Sequence, residues 1–110
     1  MVRQSKIVIT SQDYEDSLVE ILEYGIEMFG YIQARKYFNT ISSLVDNLDN
    51  EYTIHPECRH LATKNRIYRN IILDAHLIIY RITDERIEVL NIVHSASNIG
   101  KIQSSRKIRI

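Results

Sequence analysis

Residues 69–98, RNIILDAHLIIYRITDERIEVLNIVHSASN, constrain the fold more than any other stretch of the chain. Three runs rich in β-branched and aromatic residues, 67–73, 77–82 and 87–93, are separated by breaks too short to hold a helix. The first break centres on Asp74, Ala75 and His76, the second on Thr83, Asp84, Glu85 and Arg86. Both suit hairpin loops and neither allows a parallel crossover, so an antiparallel meander in strand order 1-2-3 is expected. Its last strand ends in His94, Ser95, Ala96, Ser97 and Asn98, which places the polar chemistry where the sheet stops. Strict alternation puts Arg81 in a row with Leu77 and Ile79, and His94 in a row with Leu90 and Ile92, while Val89 and Val93 lie opposite. Both faces are thus apolar. One packs on helices, and the other calls for cover by a partner segment, the C-terminal tail or a second copy of the chain.

Upstream, Lys6 to Thr10 form a short β-run, an edge or parallel strand that joins the meander. Ser11 then precedes a segment with Asp13, Glu15 and Asp16 in its first turn, where the helix dipole favours negative charge. Tyr14, Leu18, Ile21, Leu22, Gly25, Met28 and Phe29 recur at helical spacing up to Gly30, a C-cap candidate. A second stripe follows at Ala34, Tyr37, Phe38, Ile41, Leu44, Val45 and Leu48. So short a break makes the two helices an antiparallel hairpin. The segment after it is polar, and Pro56 restricts His55 before it, so a loop is expected. The expected architecture is α+β, in the order β-α-α-β-β-β, with a helical hairpin packed on a small twisted, mostly antiparallel sheet. A single domain, 1–110, divides into a first strand (1–10), hairpin (11–48), loop (49–66), meander (67–94) and C-terminal tail (95–110).

Several function classes are disfavoured. No apolar run approaches the ~20 residues that span a bilayer, and no signal segment is evident, so a cytoplasmic location and no membrane partner are expected. Cys58 is the one cysteine, read as an incidental loop thiol. The cluster HPECRH (55–60) matches no common zinc spacing, the glycines are too scattered for a phosphate cradle, and no metal or cofactor is expected. Net charge is zero but segregated: residues 1–50 carry four cations against eight carboxylates, and the remainder carries ten against six. Arg59, Lys64, Arg66 and Arg69 precede the sheet; Lys101, Arg106, Lys107 and Arg109 crowd the tail. Such clustering describes either a basic binding face or a solvated loop and tail.

The order of elements, together with Tyr80-Arg81-Ile82, the acidic turn Asp84-Glu85, the strand Ile87-Glu88-Val89 and His94 after it, resembles the RelE/ParE superfamily of toxins from bacterial type II toxin–antitoxin modules. The ParE-like branch is the more similar, through His94, Ser95 and Ala96. Ser97 and Asn98 stand where that branch commonly has arginine and aspartate. The resemblance implies a toxin that binds and inhibits DNA gyrase and is neutralised by a cognate antitoxin, with no direct DNA binding of its own. The antitoxin's disordered segment would fold onto the two-sided apolar sheet and the grooves beside the hairpin. Arg59, Arg66, Lys101, Arg106, Lys107 and Arg109 are the candidate target-binding residues, the tail above all, because Ile102, Ile108 and Ile110 alternate with its cations.

The alternatives implied by the same family are a ribosome-dependent mRNA endoribonuclease and an inactive member serving as an interaction module. Cleavage at a 2′-OH needs a base, an acid and cations around one phosphate. His94, Arg81, Arg69 and Tyr80 (or Tyr68) are the candidate set, provided that their side chains share a face. Against it stand the blander roles of His94 as a residue ending an apolar row and of Arg81 as the partner of an acidic residue, with Glu88 in a cross-strand pair.

Overall fold

A computed structural model describes residues 5–110, so Arg3 and the first four residues of the expected 1–10 strand segment lie outside the described part. The elements are β1 (Ile7–Thr10), α1 (Gln12–Phe29), α2 (Tyr31–Asp46), α3 (Leu48–Glu51), β2 (Tyr68–Ile72), β3 (His76–Ile82), β4 (Arg86–His94) and α4 (Ile99–Gln103), with 3₁₀ turns at Arg59–Leu61 and Ser104–Lys107. The sheet order is β1-β4-β3-β2; the meander is antiparallel as expected, and β1 is both an edge strand and parallel to β4.

The helical hairpin forms where its sequence places it. Ser11 caps α1 by accepting from the Tyr14 amide. Gly30 joins the helices at φ 87°, a conformation costly for any residue with a Cβ, and its amide closes α1 on the Ile26 carbonyl. Gly25 lies so close to α2 that a Cβ there would stand 3.1 Å from the Ala34 Cβ. The hairpin buries Tyr14, Leu18, Ile41, Val45 and Leu48 against Ile71, Ile78, Tyr80, Ile87, Val89 and Ile92 of the sheet.

Three expectations need correction. The 49–66 segment is not loop from its start: α3 continues the chain after Asn47, and Leu48 and Tyr52, one helical turn apart, both enter the core. The 95–110 tail is folded. Asn98 caps α4 by accepting from the Lys101 amide at 2.8 Å, and Ile102 and Ile108 pack with Cys58, Leu61, Ile79, Leu90 and Val93 in a second core on the outer face of the sheet. That face is covered by the chain itself, and Cys58 is a buried core residue whose thiol is pushed up by burial.

The third correction is to the alternation in β4. Ile79 pairs with Asn91 and Tyr80 with Val89, so Leu90 has no partner across on β3: a β-bulge. Beyond it the faces exchange. Val89 and Ile92 both face the helices, whereas Leu90 and Val93 both face outward. Ser11 holds the bulge, its amide donating to the Val89 carbonyl and its hydroxyl to the Leu90 carbonyl, while Asn91 Oδ1 accepts from its neighbour Ile92 and from Ser17 of α1.

Ser11 thus satisfies a helix N-terminus and a bulge carbonyl with one buried hydroxyl. Ser11→Ala is expected to lower unfolding stability by about 2 kcal/mol, measured by urea denaturation, because both buried partners lose their bond.

Candidate functional site

The bulge decides what surrounds His94. It pairs with His76 at the end of the β3–β4 ladder, on the helix-facing side. The two imidazoles meet edge to face with centroids 5.6 Å apart, and His76 Nδ1 shares a 2.7 Å hydrogen bond with the Tyr37 hydroxyl of α2. His94 Nδ1 accepts from the Ala96 amide at 3.0 Å, which leaves its Nε2 as the donor in the neutral ring. Burial, then the neighbouring His94 charge, lowers the pKa of His76; burial and Asp74 raise that of Tyr37.

These residues border a cavity of about 690 Å³ between the hairpin and the sheet end, lined also by Glu20, Ile21, Tyr24, Gly25, Phe29, Gln33, Ala34 and Ala75. Glu20 is the only residue in that lining, apart from the two histidines, that carries a charge, and it is negative. Tyr24 and Phe29 at its rim are more than half exposed, as are Met28, Tyr31 and Ile32 around the hairpin turn.

The opposite face of the sheet holds Arg81 and Arg86, both bonded to Glu88. Arg81 donates through Nε to Glu88 Oε1 at 2.7 Å, and its Nη2 stands 2.6 Å from the same oxygen; Arg86 takes Glu88 Oε2 through Nε at 2.9 Å and Nη2 at 2.7 Å. Burial alone would raise the Glu88 carboxyl, but hydrogen bonds and charges from the two arginines outweigh it and hold its pKa below the usual carboxylate value. Arg81 also lies 5.8 Å from the Tyr68 ring centroid and donates to the carbonyls of Arg106 and Ile108 in the C-terminal segment.

The four residues of the candidate nuclease set are therefore not brought together. Arg81 and His94 face opposite sides of the sheet, and the five residue steps of β3 from His76, the partner of His94, to Arg81 separate them by about 17 Å. Arg69 is spent on the backbone, donating to the carbonyls of Arg66, Thr53 and His55. Tyr80 is fully buried, its hydroxyl donating to the Tyr52 carbonyl at 2.6 Å, and burial raises its pKa although Arg69 pulls the other way.

Of the candidate target-binding residues, Lys101, Arg106, Lys107 and Arg109 are exposed along the C-terminal segment, and Arg59 is exposed on the 3₁₀ turn against which α4 packs. Arg66 stands apart in the turn before β2, at φ 54° and 3.8 Å from Glu57. Among the described residues, no group of three or more histidine, cysteine or acidic side chains is placed to hold a metal ion, and no helix is long and apolar enough to cross a membrane.

Comparison with known proteins shows the family. A family model described as the ParE toxin of the type II toxin–antitoxin system parDE matches residues 8–99. The chain belongs to the ParE toxin family. Among solved structures, a chain from the chromosomal ParDE toxin–antitoxin system of P. aeruginosa superposes with a TM-score of 0.68 at 16% identity, covering 84% of this chain and 98% of that one. At that identity the likeness is one of fold. Comparison with curated protein sequences gives no match.

In this ParE-family chain, sequence reasoning placed His76 in a turn and left Tyr37 as a core residue, so the cluster around His94 went unnoticed. No signal in the sequence could have found it: regular pairing from the 83–85 turn sets His76 opposite Val93, and only the unpaired Leu90 brings it opposite His94.

The depressed His76 pKa has a consequence for stability. Between the ordinary histidine value of about 6.5 and its lower folded value, the unfolded chain binds the proton and the folded chain does not, so stability falls as pH drops through that window. His55, also lowered by burial, adds to the trend. Urea midpoints measured from pH 8 to pH 5 are expected to fall, and His76→Gln to flatten the part of the slope that His76 contributes.

Proposed function

We propose that this toxin acts by binding DNA gyrase and inhibiting it without covalent chemistry, and that a cognate antitoxin neutralises it by laying an apolar segment in the groove beside the helical hairpin. One observation carries the choice against catalysis. The two imidazoles close enough to act as an acid–base pair, His76 and His94, border an apolar cavity whose only other charged lining residue is Glu20, while the arginines that would steady a phosphate are bonded on the other face or to backbone carbonyls. Among the described lining residues, a phosphodiester held at the imidazoles would meet a carboxylate and no cation.

For the target, the surface that fits is the C-terminal segment, whose outward cations lie among apolar side chains, Ile99 at 51% and Ile110 at 41% exposed. Mixed basic and apolar character suits a protein partner. For the antitoxin, the cavity and the exposed aromatics at its rim supply an apolar docking surface.

Expression of the chain without an antitoxin, followed for plasmid supercoiling and transcript integrity, tests the reading. Loss of supercoiling with intact transcripts is expected. Early transcript cleavage with normal supercoiling would make the protein a nuclease instead, and unimpaired growth would make it an interaction module. Replacing Arg106, Lys107 and Arg109 together by Gln should weaken inhibition of purified gyrase by roughly tenfold, three exposed charges contributing up to about 0.5 kcal/mol each.

A further inference from the structure

The C-terminal segment, residues 99–110, is a strap laid across the outer face of the sheet, and its own means of attachment are modest. It adds no strand to the sheet. Its apolar anchors are Ile102, buried, and Ile108, partly buried. Ser105 is buried as well, and its hydroxyl finds no hydrogen-bond partner, which counts against docking. What gives the strap a defined position is a set of guanidinium contacts from beneath. Arg81 donates to the Arg106 carbonyl at 3.4 Å and to the Ile108 carbonyl at 3.2 Å, and Arg86 donates to the Ile110 main-chain oxygen at 3.4 Å. Glu88, 7% exposed, lies between the two arginines and fixes both forks. A guanidinium holds a carboxylate and two carbonyls at once because its donors diverge in one plane; an ammonium has neither the geometry nor the reach.

We propose that Arg81 is a positioning residue: through its fork it sets the strap in one register, so that Lys101, Arg106, Lys107 and Arg109 are presented as one preformed cationic ridge to an acidic surface of a partner protein. The proposal rests on the reading that the C-terminal segment meets the target. An acidic protein fits better than nucleic acid, because the chain has no net charge and the exposed isoleucines Ile99 and Ile110 flank the cations of the ridge. Preforming matters because a loose strap would lose the freedom of several long side chains and its own backbone on binding, whereas a docked one has lost most of it beforehand.

The test uses the full chain as wild type, Arg81→Lys and Ser105→Ala, with three readouts: amide hydrogen exchange, inhibition of gyrase supercoiling, and anisotropy with a duplex oligonucleotide. Arg81→Lys keeps the charge and removes the fork. It is expected to raise exchange across 99–110 while β3 and β4 stay protected, and to raise the half-inhibitory concentration about tenfold, the size expected for losing charge-assisted hydrogen bonds. Ser105→Ala, which removes only the orphan hydroxyl, should slow exchange in the strap and leave inhibition equal or stronger. Unchanged strap protection in Arg81→Lys would overturn the positioning role, as would a loosened strap with full inhibitory strength. Duplex binding by the wild type that falls in parallel with strap order would overturn the assignment of an acidic protein as the partner. If the wild type leaves gyrase untouched, the target reading falls, and the positioning role is then decided by exchange alone.

Discussion

One unpaired residue, Leu90, governs the layout of this molecule. Strand side chains alternate with a period of two, so one inserted residue transfers everything beyond it to the opposite face. In β4 the insertion lets Val89 and Ile92 both enter the core beneath the helices, and Leu90 and Val93 both enter the core beneath the strap. A regular strand would have put His94 on the same face as Arg81. With the bulge, His94 joins His76 and Tyr37 at the groove, and Arg81 and Arg86 stay behind on the other side of the sheet. The separation of imidazoles from guanidinium groups, on which the binding reading rests, follows from that single step.

The bulge persists because it is paid for by its surroundings. An irregular strand leaves carbonyls pointing out of the ladder, and a buried carbonyl without a donor is costly. Ser11 answers for the Leu90 carbonyl with the same hydroxyl that caps α1, and Asn91 turns its own Oδ1 to the next amide and to Ser17. Helix α1 and the irregular point of β4 are therefore fixed to each other through Ser11 and Ser17.

Much of the fold could be read from the residues because it is written in periodicity. The two helical stripes, the cap at Ser11, the break at Gly30 and the three strands all follow from spacing and turn chemistry, and the strands fall within two residues of their expected ends. The bulge could not be read, since Leu90 is apolar and either face of this sheet accepts an apolar residue. The strap was named only as one of three possible covers, because Ile102 and Ile108, read with Ile110 as apolar contacts for a target, are instead its anchors on the sheet. The pairing of Arg81 with Glu88 was legible as a cross-strand pair, but its second task, holding carbonyls of the strap, depends on contacts 25 and 27 residues away along the chain. The groove cluster was hidden for a like reason: Tyr37 and His76 are 39 residues apart and each has a plausible bland role alone.

Why a buried ion network should hold the strap, when apolar contact is available, has a physical answer. Apolar burial is non-directional; Ile102 and Ile108 would gain almost as much from a strap shifted by a residue along the face. Two arginines sharing one nearly buried carboxylate add little net stability once desolvation is counted, since the cost of removing three charges from water offsets most of their attraction. Their effect is on position: the carbonyls of Arg106 and Ile108 are the acceptors that lie within reach of the Arg81 fork, and any other register leaves donors of a partly buried guanidinium unpaired. Glu88 fixes Arg81, Arg81 fixes the strap, and the strap determines where its cations stand. A surface whose use depends on the relative placement of several charges needs that kind of attachment, and the apolar anchors beneath it provide the adhesion but not the register.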